Sequence, residues 1–277
     1  MWLVLGGILS VQFGAAIAKD LFGVIDPTAM VWLRLASSSF VLSALARPAL
    51  RGRSAGDWQV AVVFGLTLAA MNWTIYQSFA RIPLGLAVTI EFVGPLALAA
   101  LGSRRLRDLG WVVLAGLGVA LLGLERGSVA WAGVAFALFA GGTWAAYILL
   151  SARTGARWPG LDGLAVASVV ATLALTPYAV AQGGRDLLDL RILALGCAVG
   201  LLSSVIPYSF EMVALRSIRP AVFGILMSLE PAAAALAGAL VLREFLTPVQ
   251  LAAMACVVVA SIGATRSGRT LAEPVPD

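Results

Sequence analysis

The chain has 277 residues, 61% of them hydrophobic and only 12% charged, and its net charge is +5. Soluble domains carry about a quarter charged residues, so the composition excludes a water-facing globular domain. With no histidine and only two cysteines, the commonest general base and metal ligand are missing. Cys197 and Cys256 stand alone, without ligand spacing.

Apolar blocks of about 18 residues or more cross a bilayer core of ~30 Å as helices. Ten spans are predicted in chain order: Trp2–Ala18, Thr28–Ala46, Trp58–Ser78, Leu84–Gly102, Gly110–Leu124, Val129–Leu150, Gly163–Ala181, Ile192–Met212, Ala221–Leu242 and Pro248–Thr265. The fold class is therefore all-α, a polytopic membrane protein. A β-barrel would alternate apolar and polar residues over about ten positions, and these runs do not. Short connections such as RPALRGRSAGD and GSRRLRD carry the turn and charge signals, and nothing is left over for a soluble catalytic domain. Residues 267–277 read as a disordered cytoplasmic tail.

Basic residues orient the chain. With the N-terminus inside, the cytoplasmic side holds Arg47, Arg51, Arg53, Arg104, Arg105, Arg107, Arg153, Arg157, Arg216, Arg219, Arg266 and Arg269. The other side holds Lys19, Arg81, Arg126, Arg185, Arg191 and Arg243. The positive-inside rule then puts both termini in the cytoplasm. The positive charge marks loops facing a membrane surface, and no nucleic-acid partner is expected.

The halves resemble each other. SFARIPLGLAVTIEFVGPLALAALG aligns with ALRSIRPAVFGILMSLEPAAAALAG when Pro95 is set against Pro231, which also aligns Ile82 with Ile218. GWVVLAGLGVALLG (Gly110–Gly123) likewise resembles QLAAMACVVVASIG (Gln250–Gly263). Each half holds five predicted spans, an odd number, so the second copy enters the membrane inverted. The predicted units are residues 1–126 and 127–266. Inverted repeats of this kind are a feature of secondary transporters, whose sites lie near the midplane. No Gly-Lys-Ser/Thr phosphate loop is present, so an ion or substrate gradient must supply the energy. No cofactor, metal or enzymatic activity is expected.

An ionisable group deep in a membrane is a functional-site candidate, because insertion there costs about 2.5–3.5 kcal/mol. Counting ~1.5 Å per residue, Glu91 lies ~10–12 Å into span four and Arg34 ~9 Å into span two from the same side. Asn72 reaches the same layer from the opposite side. Tyr76 stands one turn from Asn72, and Ser38 one turn from Arg34. Pro95 cannot donate the hydrogen bond that the Glu91 carbonyl would accept, so a helix break is expected beside the carboxylate. Glu230 precedes Pro231, but with the prolines aligned Met227 takes the place of Glu91, so the site should be asymmetric. Glu230 is read equally as a substrate or proton group and as a structural partner. Pro95 and Pro231 are the candidate gating breaks. Ser203, Ser204 and Tyr208 are pathway-lining candidates, with interhelical hydrogen bonding as the alternative role. Glu211, near Arg216 and Arg219, reads as a solvated ion pair. A Glu91–Arg34 ion pair that merely holds helices together is the alternative to a binding site. Gly133, Ala137, Gly141 and Ala145 form a small-residue stripe suited to close packing.

NWTIYQSFARIPLGLAVTIEFVGPLALA, PYSFEMVALRSIRPAVFGILMSLEPAAAALAG and LREFLTPVQ resemble the EamA-type branch of the drug/metabolite transporter superfamily. Within it, Ile-Glu-Phe-Val-Gly-Pro and Met-Ser-Leu-Glu-Pro resemble the bacterial threonine/homoserine exporter group. The resemblance implies ten helices in two five-helix inverted-topology repeats, an inner-membrane location, and efflux of small amino acids against inward proton movement. Alternating access around a midplane cavity would follow. Glu91 would receive the substrate ammonium or a proton, Arg34 would attract the substrate carboxylate or reset Glu91, and Asn72 and Tyr76 would supply hydrogen bonds. Two rivals stay open: the same fold with a drug or other metabolite as substrate, and a non-transporting membrane enzyme or subunit.

Overall fold

The computed structural model describes residues 1–102, 106–124, 130–207, 210, 214 and 220–267. Among them the chain is helical, with no strand. The helices are α1 (Trp2–Asp20), α2 (Pro27–Ala46), α3 (Ala55–Phe79), α4 (Leu84–Glu91), α5 (Val93–Gly102), α6 (Leu106–Leu121), α7 (Trp131–Gly155), α8 (Asp162–Gly183), α9 (Leu190–Gly200), α10 (Pro220–Met227), α11 (Glu230–Ala237) and α12 (Pro248–Ser267). Two of them run on as π-helix, α9 through Leu201–Val205 and α11 through Gly238–Leu242.

Local chemistry sets the ends. Asp26 accepts the Thr28 amide at 2.7 Å, with Pro27 as the first residue of α2; a carboxylate there satisfies one of the orphan donors of a helix start. Ser54 and Asp57 form a reciprocal capping box at the start of α3. Arg47 closes α2 in the left-handed conformation, with φ of 49°.

Eight helical segments among the described residues are long and apolar enough to cross a membrane. Two shorter apolar segments, Asp108–Leu121 and Leu190–Val205, stand where the sequence predicts spans five and eight. The predicted span eight ran on to Met212, and residues 208, 209 and 211–213 lie outside the described set, as does most of the tail. Spans four and nine are each two helices, broken at Phe92 and at Ser228-Leu229, close to the breaks expected at Pro95 and Pro231. The cause is the missing amide hydrogen of Pro95 and Pro231. Apolar side chains such as Phe40, Leu101 and Leu173 stay exposed around the bundle, as expected where lipid replaces water.

The helices pair across the molecule. α2 packs on α8, α4 on α11, α6 on α12, α3 on α7, and α1 on both α9 and α11. Small residues permit the close approaches. A Cβ on Gly85 would lie 2.7 Å from the Ala235 Cα, and one on Gly118 would lie 2.8 Å from the Cys256 Cβ.

Charged residues gather at the two ends of the bundle. At one end Arg53 meets Asp162 at 3.6 Å, Arg157 meets Asp57 at 3.3 Å, and the Arg53 guanidinium lies 4.4 Å from the Trp158 ring centre. Trp158 is fully buried, donates its indole N–H to the Asp57 carbonyl at 3.2 Å, and meets Trp58 edge-on. Trp158→Ala is expected to remove about 3–5 kcal/mol of stability, seen as a lower melting temperature of the purified protein in detergent. The other end holds Lys19 and Glu244.

Candidate functional site

A polar layer crosses the bundle roughly two helical turns, ~10 Å, from the Lys19 end. Arg34 on α2 is its centre. Its Nη2 donates to the Ser203 carbonyl at 3.4 Å, its guanidinium lies 5.7 Å from the Tyr76 ring centre, and its Nε is buried with no hydrogen-bond partner. A guanidinium within about 6 Å of an aromatic face is attracted by the ring quadrupole. Tyr76 on α3 is fully buried between Phe22 and Phe79, and its hydroxyl has no partner.

Ser203 belongs to the π segment after α9. Its backbone carbonyl takes the Arg34 bond, while its buried hydroxyl is unpartnered and packs against Gly14 of α1. Ser204 is buried beside it. Single π turns inside α-helices recur at functional sites, and here the wide turn brings a carbonyl to the arginine.

Glu91, the last residue of α4, is half-buried and lies within electrostatic range of Arg34. The two form no direct ion pair, so the pairing that would merely tie α2 to α4 is absent. Pro95 frees the Glu91 carbonyl, as its ring demands. That oxygen does not line an open cavity, because α7 covers it: a Cβ on Gly141 would fall 2.5 Å from it. Gly94 and Gly141 meet backbone to backbone in the same contact. Of the small-residue stripe, Gly133, Ala137 and Gly141 are buried.

Other candidates are engaged differently. The Asn72 amide donates to Leu68 of its own helix at 2.9 Å, and the Ser37 and Ser38 hydroxyls donate to the Arg34 carbonyl at 2.9 and 2.8 Å. These local bonds are the usual resource of polar side chains inside helices. Glu230 is buried on α11 and accepts from Gln12 Nε2 of α1 at 3.5 Å. Gln12 was missed from sequence, although a glutamine inside an otherwise apolar span was a usable signal. Its Oε1 is buried without a partner. Tyr208, Glu211, Arg216 and Arg219 lie outside the described residues.

Buried donors and acceptors without partners cost about 1–3 kcal/mol each. Arg34 Nε, the Tyr76 hydroxyl, the Ser203 hydroxyl and Gln12 Oε1 are thus a hydrogen-bonding inventory suited to a polar guest. No group of three or more histidine, cysteine or carboxylate side chains among the described residues has metal-binding geometry.

Residues 131–266 match the EamA-like transporter family. Over 271 residues the chain is 41% identical to the threonine/homoserine exporter RhtA of Escherichia coli strain K12, covering 96% of this chain and 91% of that protein. The chain belongs to the EamA-like transporter family. The corresponding RhtA of Salmonella typhimurium strain LT2 is 43% identical over 260 residues, covering 92% of this chain and 88% of that one. A crystal structure only 17% identical in sequence shares the fold, with a TM-score of 0.63 over 96% of both chains. This EamA-like chain is a multi-pass membrane protein of a transporter family, not an enzyme.

Proposed function

We propose that this chain is a secondary exporter of small amino acids of the threonine/homoserine kind in the bacterial inner membrane, with both termini cytoplasmic and inward proton flow as the driving force. The observation that carries the reading is the 41% identity along 96% of the chain to a threonine/homoserine exporter. The polar layer fits it. An α-amino acid presents a carboxylate and an ammonium group, and the layer offers a cation with an open Nε on one helix and carboxylates on two others. Arg34 and Tyr76 bind the substrate carboxylate. Glu91 takes the ammonium in one phase and a proton in the other, and Glu230, held by Gln12, bounds the far side.

Two five-helix inverted repeats, residues 1–126 and 127–266, supply the moving parts. Support comes from the packing: spans four and nine, which resemble each other in sequence, touch through α4 of one and α11 of the other, and α6 lies on its counterpart α12. Their breaks also fall in register, since Phe92 precedes Pro95 by as many residues as Ser228 precedes Pro231. Copies related by a two-fold axis meet in this self-complementary way. Rocking of the halves exposes the layer to one side and then the other, with Pro95 and Pro231 as the places where the helices yield.

Purified protein in proteoliposomes tests the function. Loaded threonine and homoserine are expected to leave faster when a proton gradient is imposed, whereas a panel of unrelated drugs is not. Efflux of the drugs alone would favour the same fold with another substrate, and no vectorial flux of any solute would sink the transporter reading.

A further inference from the structure

At the Lys19 end of the bundle, three elements converge on one carboxylate. Lys19, at the end of α1, places Nζ 2.5 Å from Glu244 Oε1 and also donates to the Ile82 carbonyl at 2.7 Å. The other oxygen of Glu244 accepts the Leu84 amide, the first of α4, at 2.8 Å. Arg243, in the left-handed conformation with φ of 57°, turns the chain after the π segment, and the Glu244 amide then donates back to the Gly238 carbonyl at 3.0 Å. Lys19 and Glu244 are only 13% and 23% exposed. A carboxylate at a helix N-terminus is favoured by the macrodipole, and a shielded pair is screened less than a surface one.

The consequence lies in what these elements carry. α4 is eight residues long: Glu244 holds its first amide, and its last residue is Glu91. α1 carries Gln12 two turns before Lys19, on the same face, where it meets Glu230 of α11. One ion pair therefore ties together the three helices that bring Gln12, Glu91 and Glu230 into the polar layer.

We infer that Lys19 and Glu244 form a latch that closes this end of the bundle and positions Glu91, and that the latch opens once per transport cycle. It rests on the reading of Glu91 as a transport residue. Opening frees the start of α4, and as the helix is a short rigid strut of eight residues, a shift along its axis is carried to Glu91 at its other end. Lys19 and Glu244 are positioning residues, since neither reaches the layer itself.

The test uses the full chain in vesicles, with Cys197 and Cys256 replaced by serine and a reporter Val88→Cys on α4, where the native side chain is 3% exposed. A membrane-impermeant thiol reagent is applied from each side. Glu244→Gln keeps an acceptor for the Leu84 amide but loses the charge, and Lys19→Met removes the partner. Each is expected to raise reporter labelling about tenfold from the Lys19 side alone, and the double variant K19M/E244Q to raise it no further than either single one. Unchanged labelling, or an equal rise from both sides, would overturn the latch, the second outcome marking general loosening. Labelling needs no substrate. A parent protein that exports no amino acid would thus sink the proposed substrate while leaving the latch to be decided by its own measurement.

Discussion

Glu91→Gln is expected to abolish gradient-driven efflux of threonine, by about a hundredfold or more, while leaving threonine counterflow measurable. The substitution preserves size and hydrogen-bonding capacity and removes only the ability to carry a proton or balance an ammonium charge. Exchange of one bound substrate for another needs no proton movement, so it continues, whereas net efflux must reset the carrier without substrate. A carboxylate this deep is costly to insert, about 2.5–3.5 kcal/mol on insertion scales, and no direct ion pair with Arg34 offsets it. A merely structural carboxylate would show the opposite pattern, with counterflow and driven efflux falling together alongside the melting temperature. Unchanged driven efflux would remove Glu91 from coupling.

Neighbouring glycines on α7 are expected to behave in opposite ways. Gly141→Leu should prevent accumulation of folded protein, because its Cβ would strike the Glu91 carbonyl at 2.5 Å and the Gly94 amide nitrogen at 3.2 Å. Those are backbone atoms and no rotamer change relieves them. Overpacking typically costs about 1–3 kcal/mol when side chains can shift, and here they cannot. A Cβ on Gly142 would meet nothing within 4 Å, and Gly142→Leu should express and run on a sizing column like the parent. The pair is read by fluorescence-detected sizing of detergent extracts, and equal yields would contradict the α4–α7 contact.

The legible parts of the molecule were those governed by composition and backbone chemistry. Apolar runs located the spans, and the prolines at 95 and 231 located the helix breaks, because a missing amide hydrogen acts wherever the residue stands. Counting residues down each helix brought Arg34 and Glu91 to one level. Side-chain partnership was not legible. Lys19 read only as an outer-side charge and Glu244 carried no signal of its own, since nothing local reveals that the chain returns one to the other. Asn72 and Ser38 looked available to a guest, but each satisfies itself on its own helix. The Glu91 carbonyl that Pro95 frees is covered by a glycine of α7, a contact set by tertiary packing alone.

The π turn at Leu201–Val205 has a consequence for anyone drawing faces on this helix. A π turn holds one residue more than an α turn, so everything beyond it is rotated by about 100° from a wheel drawn through α9. Ser203 and Ser204 sit inside that slip. Whether a residue on this segment meets lipid or the polar layer is thus governed by the count of residues before it as much as by its hydropathy. A gain or loss of a single position here would change which residues the passage sees without altering any of them.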